Sequence, residues 1–165
     1  MTIKNKEKKT ITGVLAAYTL LICLVACGCS QKEPREEIEL KMLVAKYNNA
    51  IIEAYKNQFF APLTEVAGEK QVNKARVVIN SFLRGNQVME ADVRKIDFKE
   101  IKRQGDKASV RTSEDWVYRW VDIKTGKEVE PLKDIHYEIV YHLVKKDGKW
   151  LVEKAEDETS KAAGG

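Results

Sequence analysis

The chain has 165 residues, 44% of them hydrophobic and 33% charged, enough for one domain with one core and too few for several. Its formal charge of +4 is concentrated at the start, where Lys4, Lys6, Lys8 and Lys9 stand against Glu7, so the rest carries 25 basic against 24 acidic residues. A near-neutral body excludes nucleic-acid binding, which needs clustered positive charge to displace counterions from phosphates. The Lys/Arg run at 94–103 is broken by Asp97 and Glu100 and reads as a solvated strand face. All three cysteines, Cys23, Cys27 and Cys29, precede residue 30, so the body has no disulfide and no thiol chemistry. No second Cys pair or His-x-His follows at ligand spacing, and neither a metal nor a cofactor is expected.

Lysines at 4–9 followed by 16 largely apolar residues at 11–26 have the build of an export signal, shorter than the roughly 20 residues of a membrane-spanning helix. Leu24-Val25-Ala26-Cys27 resembles the lipobox of bacterial lipoproteins. The resemblance implies a signal peptide over 1–26, a lipidated Cys27 and a short tether over 27–34. It also implies a domain over 35–157 held at the extracytoplasmic face of the cell membrane. Stable anchoring takes more than one acyl-type chain, which a diacylglycerol supplies.

Pro34 suits a first helical turn, Glu36 and Glu37 complement the positive helix start, and Leu40, Val44, Tyr47, Ile51 and Ala54/Tyr55 recur at helical spacing. One long amphipathic helix is predicted, ending near Phe60. Residues 62–67 make a second, short helix stopped by Gly68. From Glu69 the spacing Val72, Ala75, Val78/Ile79, Phe82/Leu83 makes a third, with Gly85-Asn86 as its stop.

From Val88 the pattern changes to strand alternation. The parity of Ile96 and Phe98 conflicts with that of Ile101, which predicts a bulge. Gly105-Asp106 turns the chain into a strand over 108–121, and residues 124–127 turn it again. Residues 128–133, carrying Pro131, read as a linker. Residues 136–153 form a hairpin about Asp147-Gly148, the strongest short-range turn signal in the chain. A two-residue turn sets Lys146 against Lys149, Lys145 against Trp150, Leu143 against Val152 and Tyr141 against Lys154. Tyr137, Ile139, Tyr141, Leu143, Trp150 and Val152 then share a core face. Residues 156–165 are polar, and from 158 onward a disordered tail is expected.

His136 and His142 lie six residues apart on one strand, roughly 20 Å at about 3.3 Å per residue, too far to share a metal or form a catalytic pair. No phosphate loop, G-x-S-x-G or H-E-x-x-H is present. Acids and aromatics concentrate in residues 114–120, where period two puts Glu114, Trp116, Tyr118 and Trp120 on one side. A carboxylate beside aromatic walls suits a proton-transfer pocket, because desolvation raises its pKa. The competing reading packs these rings against the helices and pairs Glu114 with a lysine.

Three helices followed by a curved antiparallel sheet, with D-G-x-W-x-V at 147–152, resemble the nuclear-transport-factor-2-like superfamily, a cone-shaped α+β fold. Residues 106–110, followed by Trp116 and Tyr118, resemble its IMS-type domains. The resemblance covers about residues 36–156. Isomerases, dehydratases, transport adaptors and interaction modules share that fold, so it leaves the activity open. The expectation is a ligand-binding or protein-interaction module for a small apolar ligand or a protein partner, using Glu114, Trp116, Tyr118, Trp120, Tyr137 and Tyr141. The alternative is a small isomerase or dehydratase with Glu114 as base, in which Glu114→Ala abolishes turnover and leaves stability nearly unchanged. A homodimer stacked through Val140, His142, Val144 and Leu151 is a third expectation.

Overall fold

Pro34 (φ −55°) opens helix α1, Arg35–Asn57, which buries Leu40, Leu43, Val44, Tyr47, Asn48, Ala50 and Ala54 along one stripe. The computed structural model describes residues 34–162; the predicted signal segment, Cys27 and residues 163–165 lie outside the described residues. Among the described residues no helix is long and apolar enough to cross a membrane. Helix α1 stops three residues before the expected end, because Gln58 takes a left-handed conformation (φ 54°) and its N–H closes on the Ala54 carbonyl at 3.0 Å. Helix α2, Ala61–Val66, carries the fully buried Leu63.

Helix α3, Glu69–Arg84, starts at Gly68, whose N–H is donated to the Val152 carbonyl at 2.9 Å. That bond ties the start of α3 to the last strand. At its other end Asn86, and not Gly85, takes the left-handed conformation (φ 57°). Asn tolerates this conformation better than most side chains do.

Four antiparallel strands follow in the spatial order β1-β2-β3-β4: β1 Gln87–Gln104, β2 Lys107–Asp122, β3 Glu128–Lys146 and β4 Lys149–Asp157. Register shifts interrupt β1 between Val93 and Lys95 and between Phe98 and Glu100. The second absorbs one residue, and so lets Phe98 and Ile101 both pack against the core despite their conflicting parity. Asp147 (φ 50°) and Gly148 (φ 78°) form the primed turn expected of Asp-Gly. The fold is therefore α+β, helices first and a four-stranded antiparallel sheet after, with the core between them.

Three local expectations are corrected. Residues 128–133 are strand and not linker: Trp120 pairs with Glu130, Tyr118 with Lys133, and register shifts on both sides of Trp120 accommodate Pro131. Strand β4 pairs with β3 only from Ile139 to Lys146, so Pro131 lies on a free edge where no ladder needs its missing N–H. The hairpin register holds to Leu143–Val152, then slips, setting Tyr141 against Ala155 and His142 against Lys154. The slip keeps a lysine off the core face. Residues 156–162 do not fray: β4 runs to Asp157 and Thr159–Ala162 form a helical turn, α4. The Thr159 hydroxyl accepts the Glu138 N–H at 3.0 Å and the Glu158 N–H is donated to the Glu138 carbonyl at 2.7 Å, pinning the segment to β3.

The inner sheet face, under the helices, holds Val110, Thr112, Tyr141, Leu143, Trp150 and Val152. Each of these is at most 3% exposed, and with Leu40, Val44 and Leu63 they form the centre of the core. At about 25 cal/mol per Å² of apolar surface removed from water, such side chains are the dominant stabilising term.

Candidate functional site

Strand alternation on β2 sends Thr112, Glu114, Trp116, Tyr118 and Trp120 to the helix side of the sheet. Glu114 is fully buried. Its Oε1 accepts the Thr112 hydroxyl at 2.7 Å and lies 2.9 Å from the Tyr141 hydroxyl. Its Oε2 accepts Asn48 Nδ2 at 3.0 Å and the Trp116 indole N–H at 2.8 Å. A carboxylate has about four lone-pair positions, and all four are met by protein donors. Asn48 Oδ1 is also 2.9 Å from the Tyr141 hydroxyl, so one phenol proton is shared between Asn48 and Glu114. The lysine that sequence reasoning set against Glu114 is not among these partners. Among the described residues no buried side-chain polar atom lacks a hydrogen bond.

Tyr47 extends this network. Its hydroxyl accepts Gln71 Nε2 at 2.6 Å, and its ring meets that of Tyr141 edge-on at 5.8 Å. Burial pushes the Tyr47 phenol up to about 12. Burial, and then the charge of Glu114, also push Tyr141 well above the usual phenol range. Both phenols therefore stay protonated at neutral pH, and that of Tyr141 donates into the network.

Beside this network lies a cleft of about 410 Å³. Trp116, Tyr118, Trp120, Tyr137 and Tyr141 from the sheet line it, with Tyr55 and Ile51 from α1, Phe82 and Val78 from α3, and Asp157 from the end of β4. The structure thus places five of the six predicted ligand-binding residues around one cavity. The sixth, Glu114, stands behind the wall and reaches the cleft only through Asn48, Trp116 and Tyr141. Trp116 and Tyr137 meet nearly at right angles (83°, 6.4 Å), and Phe82 lies 4.1 Å from Trp120. Burial raises the pKa of Tyr55 and of Tyr137, and Tyr137 is raised further by Tyr118 and Asp157.

Sequence reasoning missed the helical contributors. Tyr47, Ile51 and Tyr55 recur every four residues, which is enough to place them on one face. Asn48 is different: a polar residue beside that apolar face, 1% exposed, was the available sign of a buried polar network.

A larger groove of about 740 Å³ runs between α1, α2 and the tip of the β3–β4 hairpin. It is rimmed by Arg35, Glu39, Lys46, Glu53, Glu65 and Lys149, and no predicted site residue lines it. On the outer sheet face Ser113, His136 and Asp115 come together, an arrangement that no sequence motif announces. Ser113 Oγ is 3.2 Å from His136 Nε2, and Asp115 Oδ1 is 2.7 Å from Nδ1. Glu138 Oε1 also lies 3.1 Å from the same Nε2. Asp115, and then Glu138, raise the His136 pKa. In the protonated imidazole both ring nitrogens donate, Nδ1 to Asp115 and Nε2 toward Glu138 and Ser113, and that form has no lone pair to take the Ser113 proton. The carboxylates on both sides of the ring favour that form, which is an ion-pair cluster. His142 holds Glu156 at 2.7 Å and Val140 is buried within one chain, so two of the four residues expected to stack between copies already have partners. Among the described residues no three His, Cys, Asp or Glu side chains are placed to hold a metal ion.

No family model and no curated protein matches this sequence. Among solved structures the chain is similar to the intermembrane space region of chloroplast protein ARC6, with TM-score 0.62 and 12% identity over 72% of this chain and 92% of that one. A structure from Catenulispora acidiphila aligns with TM-score 0.47 and 11% identity over 78% of this chain and 98% of that one. A putative calcium/calmodulin dependent protein kinase II association domain from Xanthomonas campestris aligns with TM-score 0.45 and 14% identity over 72% and 84%. At such identities the likeness to the ARC6 region is one of fold.

Proposed function

We propose that this chain is a lipid-anchored, extracytoplasmic binding module of the nuclear-transport-factor-2-like type that takes a small, largely apolar ligand into its aromatic cleft. The cleft carries the reading: about 410 Å³, lined by eight aromatic side chains, of which all but Tyr47 and Tyr141 stay only partly buried, and backed by a closed polar network. Pockets of this size and lining are what small organic molecules require. The similarity to the ARC6 region, and the bulges that bend β1, support the cone-shaped variant of the α+β fold. The anchor rests on Leu24-Val25-Ala26-Cys27, and the few residues between Cys27 and α1 keep the domain near the membrane surface.

The enzyme alternative needs Glu114 to present a lone pair to substrate. Four protein donors already occupy its oxygens, and this favours binding over proton transfer. It also removes the expectation that Glu114→Ala leaves stability unchanged.

Ligand-observed NMR on the intact protein, with a panel of small neutral, cationic and anionic apolar molecules, tests the reading. Binders are expected, and Tyr118→Ala or Tyr137→Ala should abolish their signals. A panel without a single binder, on protein shown to be folded, would overturn it. Mass spectrometry of the mature chain tests the address: it should begin at a lipid-modified Cys27.

A further inference from the structure

Three of the four described aromatic rings outside the cleft, those of Phe60, Phe98 and Trp150, are met by the protein's own cations. Lys41 Nζ lies 5.3 Å from the Phe98 ring centre and the Arg76 guanidinium 5.0 Å from that of Phe60. Arg103 and Lys145 both approach Trp150, at 5.8 and 5.7 Å. Among the described residues, the rings of Tyr55, Trp116, Tyr118, Trp120 and Tyr137 have no such partner. Lysine and arginine make up 29 of the 165 residues, yet among the described residues neither lines the cleft, and the only charged lining residue there is Asp157. Lys133, which faces Tyr118 across the β2–β3 ladder, has its ammonium engaged by Glu130.

Two further features favour positive charge in this space. Trp116 donates its indole N–H to Glu114 at 2.8 Å, and a donor engaged by a carboxylate is polarised toward a more electron-rich ring. Asp157, which lines the cleft, uses Oδ1 to accept both the Thr159 N–H at 2.8 Å and the Thr159 hydroxyl at 2.5 Å, and no hydrogen bond or ion pair among the described residues takes Oδ2. A negative ring face attracts a cation most strongly where water is excluded. Trp116 and Tyr137, set nearly at right angles to each other, both line this one volume.

We propose that the cleft takes a small organic cation, an ammonium group clothed in methyl or other alkyl groups, seated against Trp116, Tyr118 and Tyr137 with Asp157 at the rim. Alkyl substitution fits because it spreads the charge over an apolar shell, lowers the cost of leaving water and fills an apolar cavity, which a bare ammonium or a guanidinium does less well. The inference rests on the cleft being a ligand site, as proposed above, and adds the charge of the ligand.

Choline and its neutral carbon isostere 3,3-dimethylbutan-1-ol have nearly the same shape and differ in charge. Calorimetric titration of the full chain in detergent with each should show choline binding at least about tenfold tighter, the factor that a desolvated cation–π contact supplies. Asp157→Asn, which keeps a side chain able to cap Thr159, should weaken choline by about threefold or more and leave the isostere unchanged. Tyr137→Leu should remove most of the choline affinity. Equal or tighter binding of the isostere overturns the cation inference and leaves the cleft as a site for neutral ligands. Binding of neither molecule overturns the inference, and the cleft reading itself falls only if the mixed panel above also finds no binder. Choline binding that survives both variants places the cation elsewhere and overturns the inference as well.

Discussion

The two halves of β2 obey the same alternation and end in different environments. On residues 107–114 the inner positions Ala108, Val110, Thr112 and Glu114 are all buried, sealed by the helices and by the strand pairing that runs on to β4. On residues 115–122 the inner positions Trp116, Tyr118 and Trp120 are larger and yet remain half-exposed. Strand β3 loses its outer neighbour in this half, because β4 pairs only with Ile139–Lys146. The first half is a core and the second is a cleft. Strand period alone does not separate the two; the cover above the strands does.

That contrast predicts opposite responses to truncation. The largest effect is expected at Glu114, on the boundary: Glu114→Ala strands Thr112, Asn48, Trp116 and Tyr141 in a buried site. It should cost about 3–5 kcal/mol in denaturant unfolding, as removal of one member of a buried charged network does. A loss under about 1 kcal/mol would mean that water replaces the carboxylate and that the wall between core and cleft is open. Leu143→Ala, in the sealed half and 2% exposed, should cost about 3 kcal/mol through lost transfer energy and a residual cavity. Tyr118→Ala, in the cleft half, should shift stability by no more than about 0.5 kcal/mol while removing ligand binding. Comparable losses for the two would erase the distinction.

The smallest effect belongs to the outer face. Asp115 and Glu138 raise the pKa of His136 in the folded state, so the stabilisation is complete below the unfolded imidazole value of about 6.5. It fades as pH rises through the raised folded value. Thermal melts of the wild type and His136→Gln should therefore differ most at acid pH and converge in alkaline buffer. A gap that widens with pH would reverse the sign and displace His136 from this ion-pair cluster.

Much of the architecture could be read from short-range pattern. The Asp147-Gly148 turn, the Phe98/Ile101 parity conflict and the spacing from Leu40 to Ala54 are all local statements, and the structure realises each of them. Pro131 misled for the opposite reason. A proline reads as a break unless it is known that no strand lies on its far side. The Tyr141–Lys154 register failed because a one-residue slip carries no residue-type signature of its own, while keeping Lys154 off the core is a tertiary demand.

Composition and periodicity determined the order of the helices and strands, the inner face of each strand and the company of acid and aromatics on β2, because each follows from side-chain type at fixed spacing along one element. Three things waited for the tertiary structure: that Asn48 of α1 and Tyr141 of β3 close the ring of donors around Glu114, that Tyr55 and Phe82 complete the cleft, and that no lysine or arginine among the described residues enters it. These depend on pairs of residues as many as 93 positions apart. No local energy term links such positions, and only the packing of helices across the sheet brings them within hydrogen-bond reach.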